Sequence, residues 1–411
     1  MDQILKNRQY YKFCFYGFLK NLRFFDAFFI LFLIEKGLSF TQIGSLYALR
    51  EITTNLFEIP SGIIADSFGR KRALITSLLV YILSFLIFYF SYNYWLFLFA
   101  FLFYGIGEAF RSGTHKGILM DYLKMNNMEN LKISYYGHTR SWSQNGAALS
   151  SLIAGIIIFY NGSYEQIFLY SIIPYIINLL LIISYPRELD NAAEKSSGMA
   201  SFSIKKTVKD LFEVIRKPEV FAILNTSATH SAYLKAVKDY IQPVMVNVII
   251  LIPLLQDTEL EKKNGLFIGI MYFLIYLLTS WGSRMASHIA GKREKSIAFT
   301  TLILGFSSGI LCGILYGAEL WILTLIAFFG IYLIENIRKP ILTGFIADST
   351  SSEILTSVIS VQSQWKTIIT AVLSISFGII TDAYGIGAAL AIISSILVIW
   401  TVIIKVLKER K

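Results

Sequence analysis

Along the chain, runs of Phe, Ile, Leu and Val alternate with short polar segments. Most of the runs approach the ~20 apolar residues that an α-helix needs to cross the hydrocarbon of a bilayer. The pattern predicts twelve membrane-spanning helices, at roughly 13–35, 40–65, 73–92, 94–122, 132–160, 165–185, 219–250, 264–289, 296–316, 318–346, 352–380 and 385–406. The fold class is therefore an all-α polytopic membrane protein. The longest polar segment, Pro186 to Pro218, holds Glu194, Lys195, Ser196, Ser197 and Gly198, then Lys205, Lys206 and Lys209. It reads as a linker with an amphipathic part. It divides the chain into a six-helix N-terminal bundle, 1–186, a central linker, 187–218, and a six-helix C-terminal bundle, 219–411.

Composition excludes the soluble classes. Of 411 residues, 55% are hydrophobic and 16% charged, and the mean hydropathy is +0.59. A soluble fold cannot cover its surface with so few polar side chains. The net charge of +10 would suggest nucleic acid in a soluble chain, but no basic domain lies outside the apolar runs, so the excess reports topology. Basic residues gather in the N-terminal tail, at Arg70, Lys71 and Arg72, at Lys124 and Lys132, in the linker, at Lys292, Arg293 and Lys295, and at Lys405, Lys408, Arg410 and Lys411. With twelve alternating spans these fall on one side. The other side carries Glu35, Glu165, Asp257, Glu259, Glu261, Glu319 and Asp382 against Lys36, Lys262 and Lys263. The positive-inside rule then puts both termini and the linker in the cytoplasm, and the chain in the cell membrane. The N-terminus, with Lys6, Arg8 and Lys12, lacks the short apolar core and cleavage site of a signal peptide. Cys14 and Cys312 suggest neither a disulfide framework nor a metal site.

The halves repeat. Glu108, Arg111, Gly117 and Asp121 of span four meet Glu335, Arg338, Gly344 and Asp348 of span ten at one constant offset. After a loop four residues shorter, Trp142, Ser151 and Gly155-Ile156-Ile157 meet Trp365, Ser374 and Gly378-Ile379-Ile380. An ordered series with a single gap points to duplicated six-helix halves, the organisation of many secondary transporters with a substrate site between the halves.

The sharpest motif ends span two: Gly62-Ile63-Ile64-Ala65-Asp66-Ser67-Phe68-Gly69-Arg70-Lys71. On its own chemistry, Gly62 lets two helices approach closely, Gly69 allows a tight reversal, and Asp66 can accept from backbone donors at a nearby helix N-terminus. Arg70 and Lys71 would hold the loop at the cytoplasmic face. The motif resembles the signature Gly-x-Leu-Ala-Asp-x-x-Gly-Arg-Lys/Arg of the major facilitator superfamily, and the resemblance extends over essentially the whole chain. It implies twelve helices in two pseudo-symmetric bundles and transport by alternating access. It also implies that Gly62, Asp66, Gly69, Arg70 and Lys71 form a conformational gate that latches helix ends in the outward-open state without touching substrate. Ser67 stands where a basic residue is common. The second-half counterpart, Ala286-Ser287-His288-Ile289-Ala290-Gly291-Lys292, lacks the acid, so one strong latch is expected.

Ionisable side chains within spans are costly and mark a pathway or an ion pair. Span one has Arg23 and Asp26, three apart and so on one helical face. Span two has Glu51, Asn55 and Glu58 on a stripe beside Arg50; span four Glu108, Arg111 and His115; span five Arg140 and Gln144; span seven Lys235, Lys238 and Asp239; span ten Glu335 and Arg338; span eleven Gln362 and Lys366. In the family, spans one, four, seven and ten line the central cavity. The resemblance therefore implies substrate or proton contact for Arg23, Asp26, Glu108, Arg111, Glu335 and Arg338, with Glu51, His115, Arg140, Gln144 and Lys366 as further pathway candidates. In the competing reading, Glu108 with Arg111 and Glu335 with Arg338 are intrahelical ion pairs that only neutralise one another. Lys235, Lys238 and Asp239 read as residues near a membrane face, and His138, His230 and His288 as packed or solvated histidines.

Gly305-Phe306-Ser307-Ser308-Gly309 fits a nucleophile pattern but lies in an apolar helix with no histidine after it, so no enzyme is expected. Gly305, Gly309, Gly313 and Gly317 instead form a small-residue stripe for close packing. No nucleotide-binding loop or metal-ligand spacing occurs, and no cofactor or metal is expected. The expected partners are the lipid bilayer, a small-molecule substrate and protons, without nucleic acid, and the expected functional unit is a monomer. The sequence thus reads as a secondary active transporter of a small molecule, proton-coupled through Asp26 or Glu108, with efflux as one direction. The alternative is a uniporter or importer of a small polar or anionic solute. Gly146 to Gly155 in span five lacks the proline of the family's exporter motif.

Overall fold

The computed structural model describes residues 6–190, 218–252, 258–290, 294–349 and 352–409, and all regular structure among them is helical. Span two is Phe40–Phe68, three Arg70–Phe90, five Lys132–Asn161, six Gln166–Ile183, eight Leu260–Ala290, nine Glu294–Gly317 and ten Trp321–Ser349. Spans eleven and twelve run as Ser352–Glu409, interrupted at Gly385, whose φ of 85° and ψ of 167° are open to glycine and strained for other residues. Eight stretches are long and apolar enough to cross a membrane by length and composition, and the last, Val361–Val406, holds two spans.

Three expected helices are broken. Span one consists of Arg8–Leu19 and Phe29–Glu35, with turns between them, so Arg23 and Asp26 do not share a helical face. Span four parts at Ser112 and Gly113 into Tyr94–Arg111 and Thr114–Met125. Span seven parts at the turn Lys238–Tyr240 into Pro218–Val237 and Ile241–Leu251. Backbone groups freed at membrane depth need protein partners, because lipid offers none. At the first break the Tyr175 hydroxyl donates to the Lys20 carbonyl at 3.0 Å, and the Phe24 N–H donates to the Ser171 hydroxyl at 3.0 Å. The Asn21 amide donates to the carbonyls of Gly17 and Ser143, each at 3.0 Å. At the third, the Tyr332 hydroxyl donates to the Lys238 carbonyl at 2.8 Å.

The chain forms two compact units. The first comprises Met1–Leu38, Leu49–Ser197 and Pro253–Tyr276; the second comprises Ser39–Ala48, Gly198–Ile252 and Leu277–Lys411. In the first, buried phenylalanines stack: Phe25 on Phe168 with centroids 4.8 Å apart, and Phe29 on Phe101 at 5.3 Å. Much of the chain's Phe content is thus core. Gly155 of span five lies against Gly265 and Gly269 of span eight, where an added Cβ would stand 2.6 Å from the Gly265 carbonyl.

In the second unit the start of span two meets span eleven. Gly44 abuts the backbone of Ser374, Gly378 abuts that of Phe40, and the Asp382 carboxylate accepts from the backbone of Phe40 and Thr41 at 2.9 and 2.8 Å. That carboxylate satisfies donors at the positive end of the span-two helix. The Gly305 stripe packs differently from the expected helix-on-helix seam. Gly305 leaves room for the His230 imidazole, Gly309 for the Tyr233 hydroxyl, and only Gly313 meets backbone, at Gly387 and Ala391.

Two glycine substitutions in one helix separate packing from propensity. Gly44→Ala would drive a Cβ into the Ser374 backbone, at an overpacking cost of about 1–3 kcal/mol. Gly62→Ala meets nothing within 4 Å and gains about 1 kcal/mol of helix propensity. Thermal unfolding should therefore show a lowered midpoint for Gly44→Ala and an unchanged or raised one for Gly62→Ala.

Candidate functional site

In the first unit, the break in span one delivers Arg23 to span four. Its guanidinium donates through Nε to the Tyr175 hydroxyl at 2.9 Å and through Nη1 to the Tyr104 hydroxyl, and it lies 3.5 Å from Glu108 Oε2. Arg111 donates to Glu108 Oε1, Tyr81 donates its hydroxyl proton to Glu108 Oε2, and Arg111 Nε donates to the Tyr81 oxygen at 3.3 Å. Two guanidiniums and a phenol therefore converge on the Glu108 carboxylate. The pair with Arg111 exists, but it is one edge of a network that ties spans one, three, four and six together. Asp26 sits half-buried in the same turn as Arg23.

Beside this network lies a cavity of about 340 Å³, whose lining includes Lys20, Arg111, His115, Lys116, Arg140 and Gln144 and contains no acidic residue. His115 stacks on Tyr16 with ring centroids 3.8 Å apart, and its Nε2 lies 3.3 Å from the Tyr185 hydroxyl.

The second unit arranges its counterpart differently. Glu335 Oε2 lies 2.7 Å from His230 Nδ1, and Oε1 accepts from the Ser231 hydroxyl. The intrahelical ion pair of Glu335 and Arg338, one of the two readings of these residues, does not form among the described residues. Arg338, 1% exposed, donates instead to the carbonyls of Ala298 at 2.5 Å and Thr226 at 2.7 Å and to the Thr301 hydroxyl at 2.7 Å. Gly305, lacking a side chain, admits the imidazole that takes the carboxylate, and the two terminal guanidinium nitrogens find three oxygens on spans seven and nine, while Nε is buried without a partner among the described residues. His230 is therefore more than a packed histidine. Its Nε2 is buried without a hydrogen-bond partner among the described residues.

Other candidates are dispersed. Glu51, 4% exposed, pairs with Arg50 at 3.2 Å, and the Glu58 carboxylate accepts from Ser112 at 2.8 Å. Lys366 is half-buried on span eleven. The side chains of His288, Asp348 and the second-half counterpart of the gate loop lie outside the described residues.

At the loop after span two, Arg70 bridges span ends, donating to Asp66 Oδ1 at 3.2 Å and to Asp121 Oδ2 at 2.6 Å. Gly117 makes this possible, since a Cβ there would stand 2.6 Å from the guanidinium. Asp66 does not meet a helix N-terminus. That task falls to Asp190, which accepts from the backbone of Lys71 at 3.1 Å and of Arg72 at 3.4 Å, while the Lys71 ammonium donates to the Tyr185 carbonyl at 2.8 Å. Gly69, at φ 105°, turns the chain directly against Asp190. Gly62 has no close neighbour here, contrary to the close approach expected of it. Sequence reasoning missed Lys20, Tyr81, Tyr175, Asp190 and the role of His230. Of these, only Lys20 carried a signal, as a third ionisable residue in span one.

A polytopic helical bundle with buried charge networks and a polar cavity is the construction of a membrane transporter. A model of the Major Facilitator Superfamily matches residues 21–368, and the chain belongs to that family: it is a twelve-helix membrane transporter and not an enzyme. It is 23% identical over 400 residues to an uncharacterized MFS-type transporter, YxaM of Bacillus subtilis strain 168, covering 94% of this chain and 92% of that protein. Its fold is shared with the nucleoside transporter NupG, at a TM-score of 0.71 and 13% identity over 98% of this chain and 97% of that one. The D-xylose-proton symporter gives a TM-score of 0.66 and 13% identity over 96% of each chain. A peptide transporter POT in complex with sulfate gives 0.70 and 12% over 98% of this chain and 94% of that one.

Removing one member of a buried ion network leaves the others uncompensated, at a cost of about 3–5 kcal/mol. Glu108→Ala is accordingly expected to lower the unfolding midpoint sharply, and replacing Glu108 and Arg111 together by Met should recover part of the loss. Equal midpoints for the single variant and the parent would show that the network holds nothing together.

Proposed function

We propose that the chain is a proton-coupled secondary active transporter of a small polar solute. It works as a monomer by alternating access of the halves 1–186 and 219–411, joined by the linker 187–218, in the cytoplasmic membrane with both termini inside. Gradients set the direction, so the same cycle serves uptake or efflux. The clustering of basic residues on one side of the twelve spans supports the orientation. Arg70, held between Asp66 and Asp121, supports a gate at the loop after span two.

The observation that carries proton coupling is the contrast between the two acid sites. Protonating Glu108 would take from Arg111 its ion-pair partner and from Arg23 one nearby negative charge, so Glu108 serves as a structural anion. Glu335 has an imidazole and a hydroxyl as partners, and the terminal nitrogens of Arg338 donate to neutral oxygens instead of to the carboxylate. A proton can reside on the Glu335–His230 pair without breaking a hydrogen bond that Arg338 donates. A titratable pair within a membrane unit is where a proton relay belongs. The proposed coupling site is thus Glu335 with His230 in preference to Glu108.

Proteoliposomes with a pH-sensitive dye inside, given a library of small solutes, test the reading. A solute-triggered proton movement is expected from the parent and not from Glu335→Gln or His230→Gln, while both variants keep solute counterflow. Solute uptake with no proton movement in the parent would make the protein a uniporter. Unchanged proton movement in both variants would place coupling elsewhere.

A further inference from the structure

We infer that the cavity of the first unit binds a small organic anion, a carboxylate or a phosphate ester, through Lys20, Arg111 and Arg140, with its hydrocarbon part on the Tyr16–His115 stack. The inference rests on the transporter reading and names the substrate class of that reading.

Four cations and no carboxylate face the cavity. Arg111 is engaged with Glu108, but Lys20, Lys116 and Arg140 have no carboxylate partner among the described residues. Lys116 lies 5.2 Å over the Tyr136 ring and Lys20 5.9 Å over that of Tyr16. Cations without counter-ions in a concave site focus a positive potential and concentrate anions there. At about 340 Å³ the space suits a small molecule.

The neutral polar lining reinforces this. The Asn21 amide donates to Gly17 and Ser143, the Thr139 hydroxyl to the Tyr136 carbonyl, and the Ser143 hydroxyl to the Thr139 carbonyl. These donors are committed to the backbone, so the donors left for a ligand are the Gln144 amide, the unpartnered Tyr16 hydroxyl and the ammonium and guanidinium groups, the last two making charge-assisted bonds. Charge-assisted bonds of that kind favour an anion over a neutral solute of the same shape. The stacked Tyr16 and His115 rings, edged by Phe13, supply one flat wall. The site is built at the break in span one, since Gly17, Lys20 and Asn21 all come from its first edge.

The test uses full-length protein in nanodiscs of neutral phosphatidylcholine at low ionic strength, with thermal unfolding as the readout. The probes are benzoate, succinate, citrate and glycerol 3-phosphate, with xylose and uridine as neutral solutes. Separate discs contain phosphatidylglycerol. At least one anion should raise the midpoint saturably, less so in high salt. Lys20→Met and Arg140→Met should each weaken that anion about tenfold or more, whereas Lys262→Met, whose ammonium pairs with Glu259 away from the cavity, should not. Lys20 donates no hydrogen bond among the described residues, so its replacement by Met removes only the ammonium's approach to the Tyr16 ring. Stabilisation by a neutral solute alone, or an anion effect untouched by both cavity variants, would overturn the inference. So would stabilisation by phosphatidylglycerol alone, which would make this a lipid-headgroup site. Anion binding without counterflow of that anion would instead overturn the transporter reading and leave the anion site standing.

Discussion

A backbone that stops being helical inside a bilayer must find its hydrogen-bond partners within the protein, and the polar architecture of this transporter follows from that constraint. Span one unwinds over nine residues between Leu19 and Phe29. Tyr175, Ser171 and Asn21 take up groups that the unwinding frees. Because they do, Arg23 can leave the helical surface to reach Glu108, and Lys20 can face a cavity. The break in span seven, tied by Tyr332, is the matching device in the second half. A continuous helix would have spaced these side chains along one face instead of gathering them.

Spans four and ten each carry an acid and an arginine three residues apart, and the structure gives the two sets different partners. In the first, the acid is surrounded by cations and phenols, which fixes its charge and makes it a structural element of four spans. In the second, the arginine donates to two carbonyls and a hydroxyl, and the acid is left to a histidine and a serine. Glycines decide these outcomes as much as charges do: Gly305 admits the His230 ring, and Gly117 admits the Arg70 guanidinium. One half surrounds its acid with two guanidiniums and a phenol, and the other gives its acid an imidazole and a hydroxyl.

Much of the fold was legible because its signals are local. Apolar runs placed the spans to within a few residues at most ends, and the loop motif placed Arg70. The helix breaks were not legible. The segment Lys20 to Phe28 contains no proline or glycine to mark a break, and its partners Tyr175 and Ser171 lie far along the chain. His230 was invisible for the same reason, since Glu335 is remote in sequence. Asp66 drew attention as the motif's acid, yet Asp190, beside the central linker, is the carboxylate that meets the helix N-terminus. The glycine stripe was recognised as a packing device, but a stripe does not say whether a helix or a side chain fills it.

The most direct test is hydrogen–deuterium exchange of the amides of residues 20–28 in nanodiscs, comparing the parent with a Tyr175→Phe, Ser171→Ala double variant. If side-chain partners hold the break, exchange should rise in this segment alone, and solute counterflow should fall with it. Exchange in that segment indistinguishable from the parent's, with counterflow intact, would contradict the account.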